Sequence, residues 1–256
     1  MNAPLSFITV EGIPEVRPGD DLVDLFDAAV RPHPELQLRD GDVLVIAQKI
    51  VSKSENRYVD LANVEPRAQA HELAQRCLKD PRLVELVLRE STDVLRVAPN
   101  VLIVRHRLGF VVANAAIDQS NLPGGEERAL LLPADPDSSA EALRTRFEQR
   151  YGRKLAVLIS DSFGRAWRLG VCGVCVGCSG LQALVDMRGT RDRNGRPLQV
   201  TQVAVADQLC ATATLVCGEA AESRPVVIVR GVPTNWFAVS GRARDLVRPL
   251  EQDLFR

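Results

Sequence analysis

Short runs of valine, isoleucine and leucine recur along the whole chain and are separated by turn-forming residues. Apolar runs of about four to eight residues with this composition are typical of buried strands. The predicted strands are Ser6 to Val10, Asp42 to Ile46, Val94 to Ala98, Val101 to Arg105, Phe110 to Asn114, Leu155 to Ser160, Val171 to Cys178, Leu198 to Ala204 and Val226 to Arg230.

Helical periodicity falls between these runs. The predicted helices are Asp21 to Val30, Pro66 to Leu78, Pro81 to Glu90, Ala140 to Tyr151 and Asp207 to Val216. Ser138 and Glu141 have the spacing of a capping box for the fourth helix. Because strands outnumber helices and do not alternate with them regularly, the pattern predicts an α+β fold with a mixed sheet.

The chain shows no internal repeat, and its one linker-like segment is Leu122 to Ser139. We therefore expect residues 1–256 to form a single intertwined unit that can have two lobes.

Composition excludes several classes of protein. The 32 basic and 33 acidic residues give a net charge of -1, which argues against a nucleic-acid partner. The longest uncharged run, Leu169 to Val185, contains four glycines and is too short to span a membrane. The N-terminal residues lack the features of a signal peptide, so we expect a cytoplasmic protein.

Six cysteines are present, and we expect them to be free thiols in a cytoplasmic protein of this length. Cys172, Cys175 and Cys178 form a C-x-x-C-x-x-C pattern that is also compatible with a metal or iron–sulfur site. No fourth ligand lies nearby, and the run is apolar and glycine-rich, so a structural strand is the favoured interpretation. In a regular strand, Cys172 and Cys178 share one face and Cys175 lies on the other.

Two of the four lysines, Lys49 and Lys53, follow the apolar strand DVLVIA directly. A segment that leaves a strand end can direct lysine ammonium groups at phosphates, although a solvated turn accounts for the pattern equally well. Neither a P-loop nor a G-x-G-x-x-G motif occurs.

Aspartates follow two other apolar strands. Asp118 precedes Ser120 and Asn121, which suits either a hard cation or an Asx turn. Asp161 and Ser162 precede Arg165 and Arg168, which suits either a metal–phosphate centre or an ion pair. Two such aspartates in one chain favour a metal site.

A further carboxylate, Glu219, follows Gly218 at the end of a predicted helix. Gly218 is interpreted as a helix C-cap, whereas Glu219 can reach a metal. The three histidines lack the spacing of metal ligands and are assigned no chemistry.

Taken in order, seven motifs resemble the coenzyme F-420:L-glutamate ligases over nearly the whole chain. They are VEGIPE, AQKIVSKSENR, NAAIDQSN, LLLPADPDSSAEALR, ISDSFGRAWRLG, CGEA and ARDLVRPLEQDLFR. The resemblance implies an unusual mixed α/β fold that forms an intertwined homodimer.

The resemblance also implies an activity. In that family GTP phosphorylates the terminal carboxylate of the coenzyme F-420 precursor, and the amine of L-glutamate displaces phosphate from the acyl phosphate. A divalent cation, Mg²⁺ or Mn²⁺, is required. This chemistry depends mainly on positioning and on charge neutralisation, so no nucleophilic residue is needed.

The resemblance assigns roles to residues of this chain. The implied metal ligands are Asp118, Asp161, Ser162 and Glu219, and the implied catalytic residues are Asp118, Asp161 and Lys53. The implied nucleotide contacts are Ile13, Pro14, Glu15, Val16, Gln48, Lys49, Lys53, Asn121, Cys217, Gly218 and Glu219.

The chain departs from the family pattern in three places. Phe163 replaces a polar residue after Asp161 and Ser162, and Ala220, Ala221 and Glu222 replace a glycine-rich acidic run. Some bacterial members of the resembled family carry a second, nitroreductase-like domain after the ligase unit. The chain stops at Arg256, so we expect any such reductase step to reside elsewhere.

Three alternatives stay open at the level of sequence. The first is the same fold and mechanism acting on a different carboxylate-bearing small molecule. The second is a redox or metal-cluster protein that uses Cys172, Cys175 and Cys178, and the third is an inactive binding module.

Overall fold

The computed structural model describes residues 4–120, 122, 125–238 and 240–254. Its helices and strands alternate irregularly, which confirms the predicted α+β class. In chain order they are β1 Ser6–Val10, α1 Leu22–Val30, β2 Val43–Ala47, α2 Gln48–Ser54, β3 Tyr58–Asp60, α3 Ala68–Cys77, α4 Pro81–Arg89, β4 Ser91–Ala98, β5 Val101–His106, β6 Val111–Ala113, β7 Arg128–Leu130, α5 Pro136–Tyr151, β8 Ala156–Arg165, β9 Arg168–Ser179, β10 Val185–Asp186, β11 Gln202–Val203, α6 Val205–Cys217 and β12 Val226–Arg230.

A central five-stranded sheet has the order β1-β12-β2-β8-β9. Strands β2 and β8 are parallel, and the other neighbours are antiparallel. Both faces of this sheet are buried, which explains why β2 is apolar throughout. Leu44 and Ile46 pack with α1 and α5, whereas Val43 and Val45 pack with α6.

A smaller sheet, with the order β4-β5-β6, packs against α3 and α4 through Leu102 and Val104. A two-stranded ribbon of β3 and β7 lies over a separate small core around Leu61 and Leu86. In the described part of the chain, no helix is both long and apolar enough to cross a bilayer.

The edge strand β9 is covered by the beginnings of two helices. Asp137 in the first turn of α5 accepts a hydrogen bond from the Cys178 N–H at 2.9 Å. Asp207 in the first turn of α6 accepts one from the Cys175 N–H, also at 2.9 Å. Two outward N–H groups are thereby satisfied, which protects this edge from pairing with another strand.

Several predicted boundaries were wrong. The fourth predicted helix, α5, begins at Pro136, with Asp135 accepting a hydrogen bond from the Ser138 N–H, so Ser138 is not its cap. Proline favours the first helical position because its missing N–H has no partner there in any case. The predicted strand Leu198 to Ala204 shortens to β11, Gln202–Val203.

The segment after β2 was expected to leave the strand as a loop or turn, but it forms helix α2. Strand β8 also continues past its predicted end at Ser160 as far as Arg165 and forms a long hairpin with β9. Asp161 and Ser162 therefore lie within a strand rather than after one.

Candidate functional site

A cavity of about 650 Å³ opens at the carboxyl end of β2, where its parallel pairing with β8 ends at Ser160. Loops and helix ends converge at this edge of a parallel pair, which is where ligand sites form in such sheets. The cavity brings together residues from five separate segments of the chain. The predicted site residues among its lining are Gln48, Lys49, Asp118, Asp161, Ser162, Cys217, Gly218 and Glu219.

Lys49 is anchored on Asp118 within this cavity. Its Nζ lies 2.6 Å from Asp118 Oδ2 and 3.1 Å from Ser120 Oγ. Ser120 also donates to Asp118 Oδ1 from its N–H and its hydroxyl, each at 2.7 Å. Burial opposes ionisation of Asp118, but the hydrogen bonds from Lys49 and Ser120 outweigh it and hold the pKa of Asp118 below its usual value.

Asp161 has the opposite electrostatic environment. Burial raises the pKa of Asp161 to about 7, and the negative charges of Asp118 and Glu219 add to the effect. The Ser162 N–H donates to Asp161 Oδ1 at 2.8 Å, which only partly offsets the burial. Asp161 is thus a carboxyl group that is costly to ionise and that lies beside two further carboxylates. Such an arrangement is characteristic of a cation-binding or catalytic site.

Glu219 reaches the same cavity from the end of α6. Ser162 Oγ donates to Glu219 Oε1 at 2.7 Å, which joins β8 to the segment after α6. Gly218 ends the helix as predicted, with φ +81° and ψ 169°, a backbone conformation that favours glycine. Cys217 precedes it, and burial raises the pKa of its thiol to about 11, so this cysteine is a neutral wall of the cavity.

The other predicted nucleotide contacts that the structure describes are not part of the cavity lining. The Lys53 side chain is only 5% exposed, and its Nζ lies 2.5 Å from Glu15 Oε1. Ile13 and Val16 are buried in the core, whereas Pro14 and Glu15 are exposed. Asn121 lies outside the described residues.

The donor set suits a hard divalent cation. Among the described residues, no three histidine, cysteine, aspartate or glutamate side chains are placed to hold a metal as they stand. Asp118 forms an ion pair with Lys49, and Glu219 accepts a hydrogen bond from Ser162. The carboxylate and hydroxyl donors of Asp118, Asp161, Ser162 and Glu219 are nevertheless all oxygens, the ligand type that a hard cation prefers.

A sequence profile of the family described as F420-0:Gamma-glutamyl ligase matches residues 12–231. The chain belongs to this ligase family. The resemblance inferred from the motifs is thus confirmed, and the chain is a ligase.

Full-length relatives agree with this assignment. The ligase chain is 46% identical to a protein of Methanothermobacter thermautotrophicus over 98% of its own length and 99% of the relative. It is 42% identical to a protein of Methanopyrus kandleri over the same shares of the two chains. A protein of Archaeoglobus fulgidus is 41% identical over 96% of this chain and 94% of the relative. All three carry the name Coenzyme F420:L-glutamate ligase.

Some residues around the ligase cavity were not predicted. The Arg128 guanidinium stacks 5.3 Å from the centre of the Tyr58 ring, close to Glu15 and Lys49. Burial and the charge of Glu15 raise the pKa of Tyr58. These residues lie on β3 and β7, two strands of three residues each that carry no clear alternating pattern.

Phe163 and the two hairpin arginines have different positions. Phe163 is buried in the ligase core and packs edge-to-face on Phe110 at 5.9 Å between ring centres. Arg165 and Arg168 were expected to support the metal centre, but both are exposed at the far end of the β8–β9 hairpin. Arg165 donates to the Leu169 carbonyl at 3.1 Å, because the continuing strand carries it away from Asp161.

The cysteine pattern forms a strand of the ligase, as favoured from sequence, and all six cysteines are free. The predicted faces were wrong. Cys175 is paired with Ser160 and Gly177 with Ile159, so Val176 is an extra residue in a bulge. The bulge brings Cys175 onto the same buried face as Cys178, under α6. The described residues hold no cysteine metal site.

Proposed function

We propose that this ligase couples GTP hydrolysis to the addition of L-glutamate to the coenzyme F-420 precursor. Three curated relatives carry the name of that glutamate ligase. The observation that carries the proposal is the convergence of Lys49, Asp118, Asp161, Ser162 and Glu219 on one cavity. Oxygen ligands and an ammonium group in one cleft are the parts that phosphoryl transfer needs.

In the proposed reaction, a carboxylate oxygen of the precursor attacks the γ-phosphorus of GTP. The bond to the β–γ bridging oxygen breaks and GDP leaves. The L-glutamate amine then attacks the acyl carbon, the bond to the phosphate oxygen breaks, and one proton is released. The cavity at the end of the parallel pair β2 and β8 positions the reactants. Lys49 places a positive charge beside the phosphates.

Asp118, Asp161, Ser162 and Glu219 would hold Mg²⁺ or Mn²⁺ in this proposal. The ion would supply charge neutralisation for the transferred phosphate. Lys53, buried next to Glu15, adds a second ammonium group one helical turn beyond Lys49. Gln48 and Lys49, in the first turn of the same helix, line the cavity, which supports a shared nucleotide surface on α2.

Mass spectrometry of the products tests the proposal directly. Purified protein is incubated with the F-420 precursor, L-glutamate, Mg²⁺ and either GTP or ATP. We expect a mass increase of one glutamyl residue, together with GDP and phosphate, only with GTP. A glutamylated product from a different carboxylic acid, with none from the F-420 precursor, would favour the alternative acceptor. The absence of any amide product would contradict the proposal.

We also propose that the ligase acts as a homodimer. The β8–β9 hairpin projects two large apolar side chains into solvent, with Trp167 89% and Leu169 98% exposed. Neighbouring large apolar side chains of this kind are typical of an interaction surface. A second copy of the chain would cover them.

A further inference from the structure

A second cavity, of about 290 Å³, lies beside the edge strand β9. Phe163 lines both cavities. Val174 lines the second cavity and is the cross-strand partner of Asp161, which lines the first. Because paired residues on adjacent antiparallel strands lie about 5 Å apart at Cα, the two cavities are close neighbours.

The second cavity contains a carboxylate without a cation. Asp207 uses Oδ1 to accept the hydrogen bond from the Cys175 N–H. Burial raises the pKa of Asp207, and no ion pair in the described part of the chain includes this residue. Its other oxygen, Oδ2, has no hydrogen bond among the described residues, so it is available to an ammonium group.

The same cavity contains a buried arginine with unused donors. The Arg105 side chain is 14% exposed, and its buried Nε has no hydrogen-bond partner among the described residues. Asp253 and Asp93 form ion pairs with the Arg105 guanidinium at 3.6 and 3.7 Å, distances longer than a normal hydrogen bond. Arg248 also lines this cavity and is exposed. A ligand carboxylate could therefore form bidentate hydrogen bonds here.

Part of the wall of this cavity is apolar. Phe110 and Phe163 line it, with their rings packed edge-to-face. An ammonium partner, two arginines and an apolar wall in one cavity match the chemistry of an acidic amino acid whose side chain contains methylene groups.

We propose that the second cavity binds the L-glutamate that the ligase adds, with Asp207 accepting its ammonium group, Arg105 and Arg248 binding its carboxylates, and Phe110 and Phe163 contacting its methylene groups. This inference rests on the proposed function, since that function supplies the identity of the amino acid. Neither Asp207 nor Arg105 is part of the cluster at the first cavity.

Asp207→Asn is the sharpest variant for a test. The amide retains an oxygen for the Cys175 N–H and removes only the charge. Arg105→Lys keeps the positive charge but loses the planar guanidinium that binds a carboxylate through two hydrogen bonds. It therefore tests the carboxylate contact without removing the charge from this position. Asp186→Asn, at an exposed aspartate in the β10 strand, is the matched control.

Steady-state kinetics and calorimetry with the full chain provide two readouts. We expect both variants to raise the KM and Kd for L-glutamate about tenfold or more while the KM for GTP changes less than about twofold. Glutarate, which lacks the ammonium group, should bind wild type more weakly and should be insensitive to Asp207→Asn. An unchanged L-glutamate affinity in both variants would overturn the inference, as would an equal loss of glutarate binding in Asp207→Asn.

The two proposals fail in different ways. If wild type makes no glutamylated product but binds L-glutamate with this variant pattern, the second cavity stands and the proposed function falls. If wild type glutamylates the precursor and neither variant changes the KM for L-glutamate, only the assignment of the second cavity falls.

Discussion

Lys49 neutralises Asp118, with Nζ 2.6 Å from Oδ2, and thereby ties helix α2 to the segment that follows β6. Asp161 and Glu219 line the same cavity, and neither has an ion-pair partner among the described residues. Of these three carboxylates, only Asp118 is paired with a lysine. Burial is the main reason why the pKa of Asp161 is raised, and the charges of Asp118 and Glu219 add to it. The hydrogen bonds from Lys49 and Ser120, in contrast, hold the pKa of Asp118 down.

Asp161→Asn should abolish turnover, with a loss on the order of 10²–10³-fold or more, because the amide loses the charge that binds a hard cation. Product formation measured by mass spectrometry tests this expectation. The control is Asp186→Asn, whose exposed position predicts nearly normal turnover. Wild-type-like activity of the Asp161 variant at ordinary metal concentrations would remove Asp161 from the metal site.

The same substitution should stabilise the metal-free protein at neutral pH. Asp161 has a pKa of about 7 in the folded state and 3.8 as its ordinary value, so the folded state holds the extra proton between these values. The contribution of Asp161 to stability is therefore present below about pH 4 and is lost as the pH rises towards 7. The loss is on the order of 4 kcal/mol at most, from about 1.4 kcal/mol per pKa unit.

Urea unfolding with chelator at pH 5 and pH 8 measures this effect. Wild type should lose more stability between these two pH values than Asp161→Asn does. Equal pH dependence of the two proteins would mean that Asp161 does not carry the raised pKa.

A divalent cation should raise the melting temperature, and GTP should add a further increase only when the cation is present. The reason is linkage, since each ligand binds the folded state and the cation neutralises the carboxylates that repel phosphate. Thermal melts are recorded for the apo protein, with Mg²⁺, with GTP and chelator, and with GTP and Mg²⁺. One contrary result is an increase in melting temperature with GTP that is as large with chelator as with Mg²⁺, and another is an increase that persists in the double variant Asp118→Asn/Asp161→Asn. Either result would show that nucleotide binding does not depend on a metal held by these aspartates.

Lys53→Ala should weaken GTP binding about tenfold or more, because a charge-assisted phosphate contact is lost from α2. Lys53→Arg should restore part of the affinity, since a planar fork replaces a compact ammonium group imperfectly. Calorimetry with GTP and Mg²⁺ gives both values. Lys154→Ala, at an exposed lysine, serves as the control. Unchanged GTP affinity in Lys53→Ala would leave only the contact with Glu15 as its role.

Replacing Cys175 and Cys178 by Ala and Cys172 by Ser should lower stability by about 1–2 kcal/mol, because two buried sulfur atoms are lost from the core. Activity should remain measurable. Elemental analysis of anaerobically purified wild type and variant should differ in neither iron nor zinc. A stoichiometric iron or zinc signal that disappears in the variant would instead support a cluster.

Trp167→Glu combined with Leu169→Glu should convert the proposed homodimer to a monomer, since two buried charges would oppose association. Light scattering coupled to size-exclusion chromatography measures the mass. Val200→Glu, at another exposed apolar residue, is the matched control and should leave the mass unchanged. A monomeric wild type, or an unaffected double variant, would contradict the role of the hairpin.

The amino-acid sequence was sufficient to predict the class of fold, most of the longer elements and the family. Valine-rich runs such as β2 and β12 are buried on both faces, so their composition alone indicates strands. Asp118, Asp161, Ser162 and Glu219 could also be selected from sequence, because a polar group next to an apolar strand or helix end is costly to bury unless it is hydrogen-bonded, paired or bound to a metal.

The way in which these residues meet depends on tertiary packing and could not be predicted from the sequence. The pairing of Lys49 with Asp118 and of Ser162 with Glu219 depends on the parallel alignment of β2 and β8 and on the packing of α6. The bulge at Val176 reversed the expected face of Cys175 because one inserted residue shifts the alternation of a strand. The cavity of Asp207 and Arg105 carries no local motif, because its walls come from segments far apart in sequence that only packing brings together.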